Sequence, residues 1–323
     1  MKIGIIGCGL IGGKRADAAL KCGWTVPIVC DLNEGRANSL AAKVKGRAVA
    51  DWHDVVNADV DVINIALTHD LLPSVTLAAL NAGKHVLVEK PAGRNAAEVK
   101  PVLDLARKLG KVVKVGFNHR FHPAMLKTKV MVQAGAIGPL MYVRGRYGHG
   151  GRPGYDKEWR VQPKISGGGE LVDQGSHLID LSRWYMGDLK LDYAALPKAF
   201  WKTQVEDNCF LSLKSPEGKI AWLHASWSEW KNTFSLEIFG QVGKLTIDGL
   251  GGSYGTEKLT FHKMLPELGP PETTSWEYPC PDKSWQVEFE EFATAIAEGR
   301  RPVGDIEDAY EMLRIVDQAY GRE

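Results

Sequence analysis

The sequence predicts an α/β chain: a doubly wound parallel sheet comes first, then an α+β domain with a large open mixed β-sheet. Three observations carry this. Short β-branched runs alternate with helical stretches through the first third of the chain. Near Gly116 the alternation stops, and strands separated by turn signals take over. A glycine-rich turn lies directly between the first strand and the first helix. Alternating strands and helices build a parallel sheet covered on both faces, whereas strands joined by tight turns pair antiparallel or in mixed sheets.

Taken in order, Lys2–Ile6 and residues 26–30 read as buried strands on either side of a helix at Leu10–Lys21. Residues 62–67 form another strand, followed by a Leu- and Ala-rich helix over 71–81. A strand at 84–89, a helix at Ala96–Leu109 and a strand at 111–116 complete the first domain. The boundary is set at Asn118, giving domains 1–118 and 119–323. In the second, 124–133 and 171–186 are predicted helices and 140–147 a strand. Between 208 and 261, the turns Ser215-Pro216-Glu217-Gly218, Lys231-Asn232 and Gln241-Val242-Gly243 separate further strands. The proline-rich segment 266–281 reads as a loop before two closing helices, 285–298 and Ile306–Tyr320.

At 323 residues, 44% apolar and 24% charged, the chain has the size and composition of a soluble two-domain protein. A net charge of +1 supplies no global field and argues against nucleic acid or an anionic membrane as partner. Cys8, Cys22, Cys30, Cys209 and Cys280 are scattered, with no C-x-x-C pair and no Cys/His cluster at zinc spacing. His53, His85, His119, His122 and His224 also lack metal-like spacing. No metal and no disulfide scaffold are expected, and a reducing cytoplasm fits. The apolar N-terminal run is broken by glycines, then Lys14 and Arg15, and is too poor for a signal peptide. Nothing approaches the roughly 20 apolar residues of a spanning helix.

Gly7-Cys8-Gly9-Leu10-Ile11-Gly12 is a G-x-G-x-x-G in the strand-to-helix context that a dinucleotide requires. Gly7 permits the tight turn, Gly9 lets backbone approach a pyrophosphate, and Gly12 lets the helix pack on the strand. Amides at the helix start then face the phosphates. Asp31 ends the second strand, where a carboxylate accepts from ribose hydroxyls and repels a 2′-phosphate, so NAD is expected over NADP. Arg36 nearby complicates that preference. The plain alternative is a glycine-rich turn and a surface acid.

Glu89-Lys90-Pro91 closes a parallel strand, at the sheet end where ligands bind. The proline makes a cis peptide feasible, which would fix the direction of the lysine. It reads equally as a surface lysine before a helix-starting proline. Further on, Gly167-Gly168-Gly169 leads, as a flexible run, into a helix with Asp173 and His177 one turn apart on one face. An imidazole titrates near neutrality and can take up the proton an alcohol sheds when it is oxidised. By itself the pair reads as readily as an ordinary helical ion pair.

Together these segments resemble the glucose-fructose oxidoreductase, inositol dehydrogenase and rhizopine-catabolism (Gfo/Idh/MocA) family. The carrying residues are Gly7–Gly12, Asp31, E-K-P at 89–91, V-G-F-N-H-R-F at 115–121, Trp159-Arg160 and G-G-G-E-L-V-D-Q-G-S-H-L-I-D at 167–180. The resemblance implies a Rossmann domain followed by a sheet domain whose exposed face forms homodimers or homotetramers. It implies hydride transfer between NAD and a sugar or cyclitol. Lys90, Asp173 and His177 match the catalytic set: His177 as acid/base, Asp173 orienting it, Lys90 at the reacting oxygen. Cofactor contacts are expected at Gly7, Gly9, Leu10, Ile11, Gly12, Asp31, Leu67, Thr68, His69, Glu89, Lys90 and Asn118. Substrate contacts are expected at Lys90, Asn118, Arg120, Arg160, Asp173 and His177. The family's T-P-N-x-x-H is replaced by Leu67-Thr68-His69-Asp70-Leu71-Leu72, which puts that loop's cofactor contacts in doubt.

The segment 144–156 is dense in glycine and arginine; Arg146 or Arg152 could hold an anionic substrate group, or meet water and local acids. Trp222, Trp227 and Trp230 are read as sheet packing or a subunit interface. Two other readings stay open: an oxidoreductase of nucleotide-linked sugars, and a dinucleotide-binding regulator without turnover.

Overall fold

The computed structural model describes residues 1–279 and 281–322, so Cys280 lies outside the described residues. The chain divides into two compact units, and the division is not linear. Met1–Asn118 forms the first together with Trp285–Glu311; His119–Ser284 and the chain from Met312 form the second.

The first unit runs β1 (Lys2–Ile6), α1 (Leu10–Lys21), β2 (Thr25–Cys30), α2 (Glu34–Val44), β3 (Arg47–Val49), α3 (Trp52–Val56), β4 (Val62–Ile65), α4 (Leu72–Asn81), β5 (His85–Val88), α5 (Ala96–Leu109) and β6 (Val113–Val115). Its six strands lie in the order β3-β2-β1-β4-β5-β6, all parallel. Parallel strands are covered on both faces, which is why all of β4 and all but the first residue of β1 are buried. The order reverses beside β1, and ligands bind at such a switch point, beyond the strands' carboxyl ends. α2, β3 and α3 escape the periodicity reading: β3 is a three-residue edge strand with no buried residue, and α3 has only five residues.

The second unit contains α6 (Pro123–Gln133), β7 (Leu140–Gly148), α7 (Pro163–Ser166), α8 (Ser176–Met186), β8 (Lys190–Ala195), β9 (Asn208–Lys214), β10 (Ile220–Ser226), β11 (Thr233–Gly240), β12 (Gly243–Asp248), β13 (Glu257–Lys263) and β14 (Glu272–Tyr278). α9 (Ser284–Glu298) and α10 (Ile306–Tyr320) close the chain. The sheet is eight-stranded, β14-β13-β12-β11-β7-β10-β9-β8. Among the described residues its one parallel pair is β7 with β10, so the expected mixed sheet is present. α8 covers one face: a Cβ on Gly145 would press against Leu178 of that helix. The other face exposes Tyr142, Arg144, Arg146 and Trp222.

Two expectations need correction. The proline-rich segment 266–281 is not all loop, because β14 pairs with β13 from Glu272 to Tyr278. Its sequence, E-T-T-S-W-E-Y, is an edge strand with mostly exposed side chains, so no apolar alternation betrays it. And residues beyond 118 do not all join the second unit. Phe289, Phe292 and Ala295 of α9 lie in the core formed by β1, β2 and α1, with the Phe289 ring 4.7 Å from that of Trp24. An amphipathic helix specifies a buried face, not which core receives it.

α9 also brings a charge into that core. Fully buried Arg15 donates through Nε to Glu89 Oε1 at 2.6 Å and pairs through Nη1 with Glu288. Buried Lys114 lies 3.4 Å from Glu288 and donates to the Val303 carbonyl. Two cations and two carboxylates thus balance one another out of water, the condition under which buried charge is tolerated. Gly116 has no side chain because a Cβ there would strike Arg15 and Glu89.

Candidate active site

In the first unit the loops after β1, β2, β4 and β5 all leave the carboxyl edge of the sheet. Gly7 has φ +95°, a left-handed conformation that favours glycine. A Cβ at Gly12 would strike the Gly7 carbonyl, so helix and strand pack at backbone distance. At Gly9 the same position faces open space, and as N-cap of α1 it sets no side chain over the first-turn amides. That is a cradle a pyrophosphate fits. Leu10 is exposed and Ile11 half-buried at its rim. Asp31 accepts from the Cys8 N–H and the Asn33 N–H, both at 2.8 Å. Each carboxylate oxygen has a second lone pair for a ribose hydroxyl. Leu67 flanks the glycine turn, Thr68 closes a turn with Leu71, and His69 is buried. These residues fit a dinucleotide.

The Lys90–Pro91 peptide is cis, as the proline made feasible. The Glu89 carboxylate belongs to the Arg15 network, and burial pushes it up against the pull of Arg15. Asn118 is buried at the start of a 3-10 turn, Asn118–Phe121.

In the second unit, Leu171–Gly175 is a π-helical turn that runs directly into α8. Asp173 lies in the first, His177 in the second. Asp173 Oδ2 is 3.4 Å from Arg160 Nε, and Arg160 Nη1 is 3.2 Å from Glu158. His177, 5% exposed, stacks face to face on His119 with ring centroids 3.7 Å apart and planes inclined by 20°. The Tyr147 ring approaches edge-on at 6.2 Å. Gln174 donates to the Tyr254 hydroxyl at 3.0 Å, and the Tyr254 ring lies 5.0 Å from that of Tyr147. Tyr147 and Tyr254 gave no sequence signal, because aromatic residues in a strand or turn read as packing, and His119 was noted only as part of V-G-F-N-H-R-F and among the histidines without metal-like spacing.

The start of this helix is held from afar. Glu206 Oε1 accepts from the N–H groups of Gly169 and Leu171, each at 3.1 Å, and from the Tyr320 hydroxyl at 2.5 Å. The glycine run is therefore not a flexible lead-in. A Cβ at Gly168 would fall on the Tyr320 hydroxyl, and one at Gly169 on the Glu206 carbonyl. Burial pushes the Glu206 carboxyl up, although Tyr320 and the backbone amides pull it down. A raised folded-state value means Glu206 contributes stability fully at pH below its unfolded value and loses it as pH rises through the folded one. Glu206→Gln keeps a carbonyl acceptor and cannot ionise. Its Tm relative to wild type is expected to increase as pH rises through that window, measured by thermal unfolding at several pH values; a constant difference would contradict the linkage.

Arg120 and Arg152 each pair with an acid of the second unit. Arg120 binds Asp180 bidentately, Nε to Oδ2 at 2.9 Å and Nη2 to Oδ1 at 2.5 Å, with both side chains buried. This fork locks the 3-10 turn to α8. Arg152 lies 2.5 Å from Glu158, and Arg146 projects from the exposed sheet face, so the local-acid reading of the arginine loop holds for Arg152. Trp227 is fully buried with Tyr155, Val161 and Val205, whereas Trp222 and Trp230 are 47% and 65% exposed.

The two units define a class: an oxidoreductase-type dinucleotide fold combined with an α+β unit built on a mixed sheet. Residues 1–117 match the family model described as oxidoreductase family, NAD-binding Rossmann fold, and 125–246 match the GFO/IDH/MocA C-terminal domain. The chain belongs to the Gfo/Idh/MocA oxidoreductase family. It is 31% identical over 209 residues to levoglucosan dehydrogenase of Pseudarthrobacter phenanthrenivorans, covering 61% of this chain and 54% of that protein. It is 35% identical to inositol 2-dehydrogenase of Salmonella typhimurium, over 46% of each chain. The chain thus spans about half the length of these relatives. D-glucoside 3-dehydrogenase of Escherichia coli is 29% identical over 99% of this chain and 94% of its own. A solved levoglucosan dehydrogenase in complex with NADH and levoglucosan shares the fold, with TM-score 0.88 and 23% identity over 100% of this chain and 98% of that one. Among the described residues, no helix is long and apolar enough to cross a membrane.

Proposed function

We propose that this protein is an NAD(H)-dependent dehydrogenase of a carbinol carbon on a sugar, cyclitol or sugar derivative. The observation that carries the reading is His177: a buried imidazole clamped face-on by a second ring, one turn after Asp173, in a family of NAD-binding oxidoreductases. Dinucleotide binding alone has no need of such a group. NAD, held by Gly7–Gly12 and Asp31, supplies the hydride acceptor when bound. His177 withdraws the hydroxyl proton during oxidation and returns it during reduction. Asp173 orients the imidazole, and Lys90 donates to the reacting oxygen and favours its alkoxide character. Arg160, paired with Asp173, contributes to substrate binding; Asn118 serves cofactor and substrate.

The test is a panel of inositols, aldoses and glycosides with NAD, followed by the absorbance of reduced cofactor. Turnover of at least one class is expected; inactivity across the panel with tight NAD binding would instead indicate a regulator. Asp31→Ala is expected to weaken NAD by about ten-fold or more, the size of a charge-assisted hydrogen bond, and to narrow discrimination against NADP. Unchanged Kd values for both cofactors would remove Asp31 from the ribose site.

The exposed sheet face, with Tyr142 and Trp222 among the Arg144–Glu237–Lys244 ion pairs, is the surface for a homodimer or homotetramer. The free thiols of Cys8, Cys22, Cys30 and Cys209 support a reducing cytoplasm.

A further inference from the structure

We infer that His119 is a positioning residue for His177: its ring is the wall that fixes the plane, and so the aim, of the catalytic imidazole. This rests on the proposed role of His177 as acid/base. The two rings overlap at 3.7 Å and 20°, which is stacking contact rather than chance proximity. Both side chains are buried. His119 is itself held on three sides. The Tyr147 ring meets it edge-on at 5.3 Å, His122 meets it edge-on at 5.8 Å, and Phe234 lies at 6.2 Å.

The wall is anchored to the helix it supports. Arg120, the next residue, forks onto Asp180 of α8, the helix that carries His177. Just after the turn, His122 Nδ1 lies 2.9 Å from Glu257 Oε2, which ties this stretch of chain to β13. The turn and α8 therefore move as one piece, and the imidazole of His177 has a fixed surface along one whole face. A proton acceptor must meet its hydroxyl within hydrogen-bond reach and in the right direction, and a misplacement of about 1 Å costs up to about a hundred-fold in rate. Rotation about the ring's own bond is what a face-stacked partner suppresses. A rigid flat side chain performs this service without any chemistry of its own, so phenylalanine substitutes for histidine and alanine does not.

The test compares His119→Ala, His119→Phe and His177→Ala in the full-length protein, on whichever substrate of the panel turns over. His119→Ala is expected to lower kcat about ten-fold or more, with KM for NAD unchanged within about two-fold. His119→Phe is expected to restore most of that loss. A readout independent of turnover is the proton spectrum of the His177 ring, shifted by the ring current of its neighbour: the shift is retained with phenylalanine and lost with alanine. Wild-type kcat in His119→Ala, or His119→Phe as impaired as His119→Ala, overturns the inference. If His177→Ala itself keeps wild-type turnover, the acid/base reading fails instead, and the ring-current comparison still reports whether His119 fixes that ring.

Discussion

His177→Ala is expected to lower kcat by about 10²–10⁴-fold, the range that a positioned acid/base contributes. NAD affinity, measured by fluorescence titration, should be nearly unchanged, because the cradle at Gly7–Gly12 and the Asp31 carboxylate belong to the other compact unit. Such a pattern marks a group that acts on the transition state rather than on ground-state binding. Lys90→Ala is expected to cost about 10²–10³-fold, comparable to removing one donor from an alkoxide-stabilising site. Lys90→Arg should not restore it, since a planar guanidinium does not reproduce a compact ammonium. Wild-type turnover in either alanine variant would withdraw that residue from the mechanism.

Glu288→Ala should produce the largest loss of stability. It removes the carboxylate paired with both Arg15 and Lys114, each fully buried. Stranding a buried charge costs about 3–5 kcal/mol. For a unit of this size that lowers Tm by on the order of 10 °C. The charge-balanced double variant, Lys114→Met with Glu288→Leu, removes one charge of each sign and leaves Arg15 with Glu89. It is expected to recover part of the loss, because an apolar replacement of a buried pair is often neutral or stabilising. Differential scanning calorimetry decides: equal Tm values for wild type and Glu288→Ala would mean that the network is not what secures α9 to the first sheet. Because Glu89 immediately precedes Lys90, the single variant should also lose turnover beyond its loss of folded protein.

Much of the fold was legible because local physics repeats along the chain. Buried parallel strands advertise themselves as runs of Ile and Val, as at Lys2–Ile6, and a glycine turn between strand and helix fixes where a dinucleotide belongs. β14 was illegible because an exposed edge strand needs no apolar alternation. The place of α9 was illegible because its Phe289 and Phe292 would satisfy any apolar core. The residues proposed for the chemistry, Lys90, Asp173 and His177, were legible because they match the motifs of the family that the sequence resembles. The residues that hold them were not: Glu206 and Tyr320 reach Gly169 from positions far away in sequence.

By itself, the sequence determined the class of fold, the dinucleotide cradle and the residue types available for acid/base work, since each depends on periodicity or spacing within a few turns of chain. Only the tertiary structure decided that Arg120 pairs with Asp180 and Glu89 with Arg15, and that His119 covers the face of His177. Those are long-range pairings in which buried charge meets opposite charge and ring meets ring, and no local pattern encodes that choice.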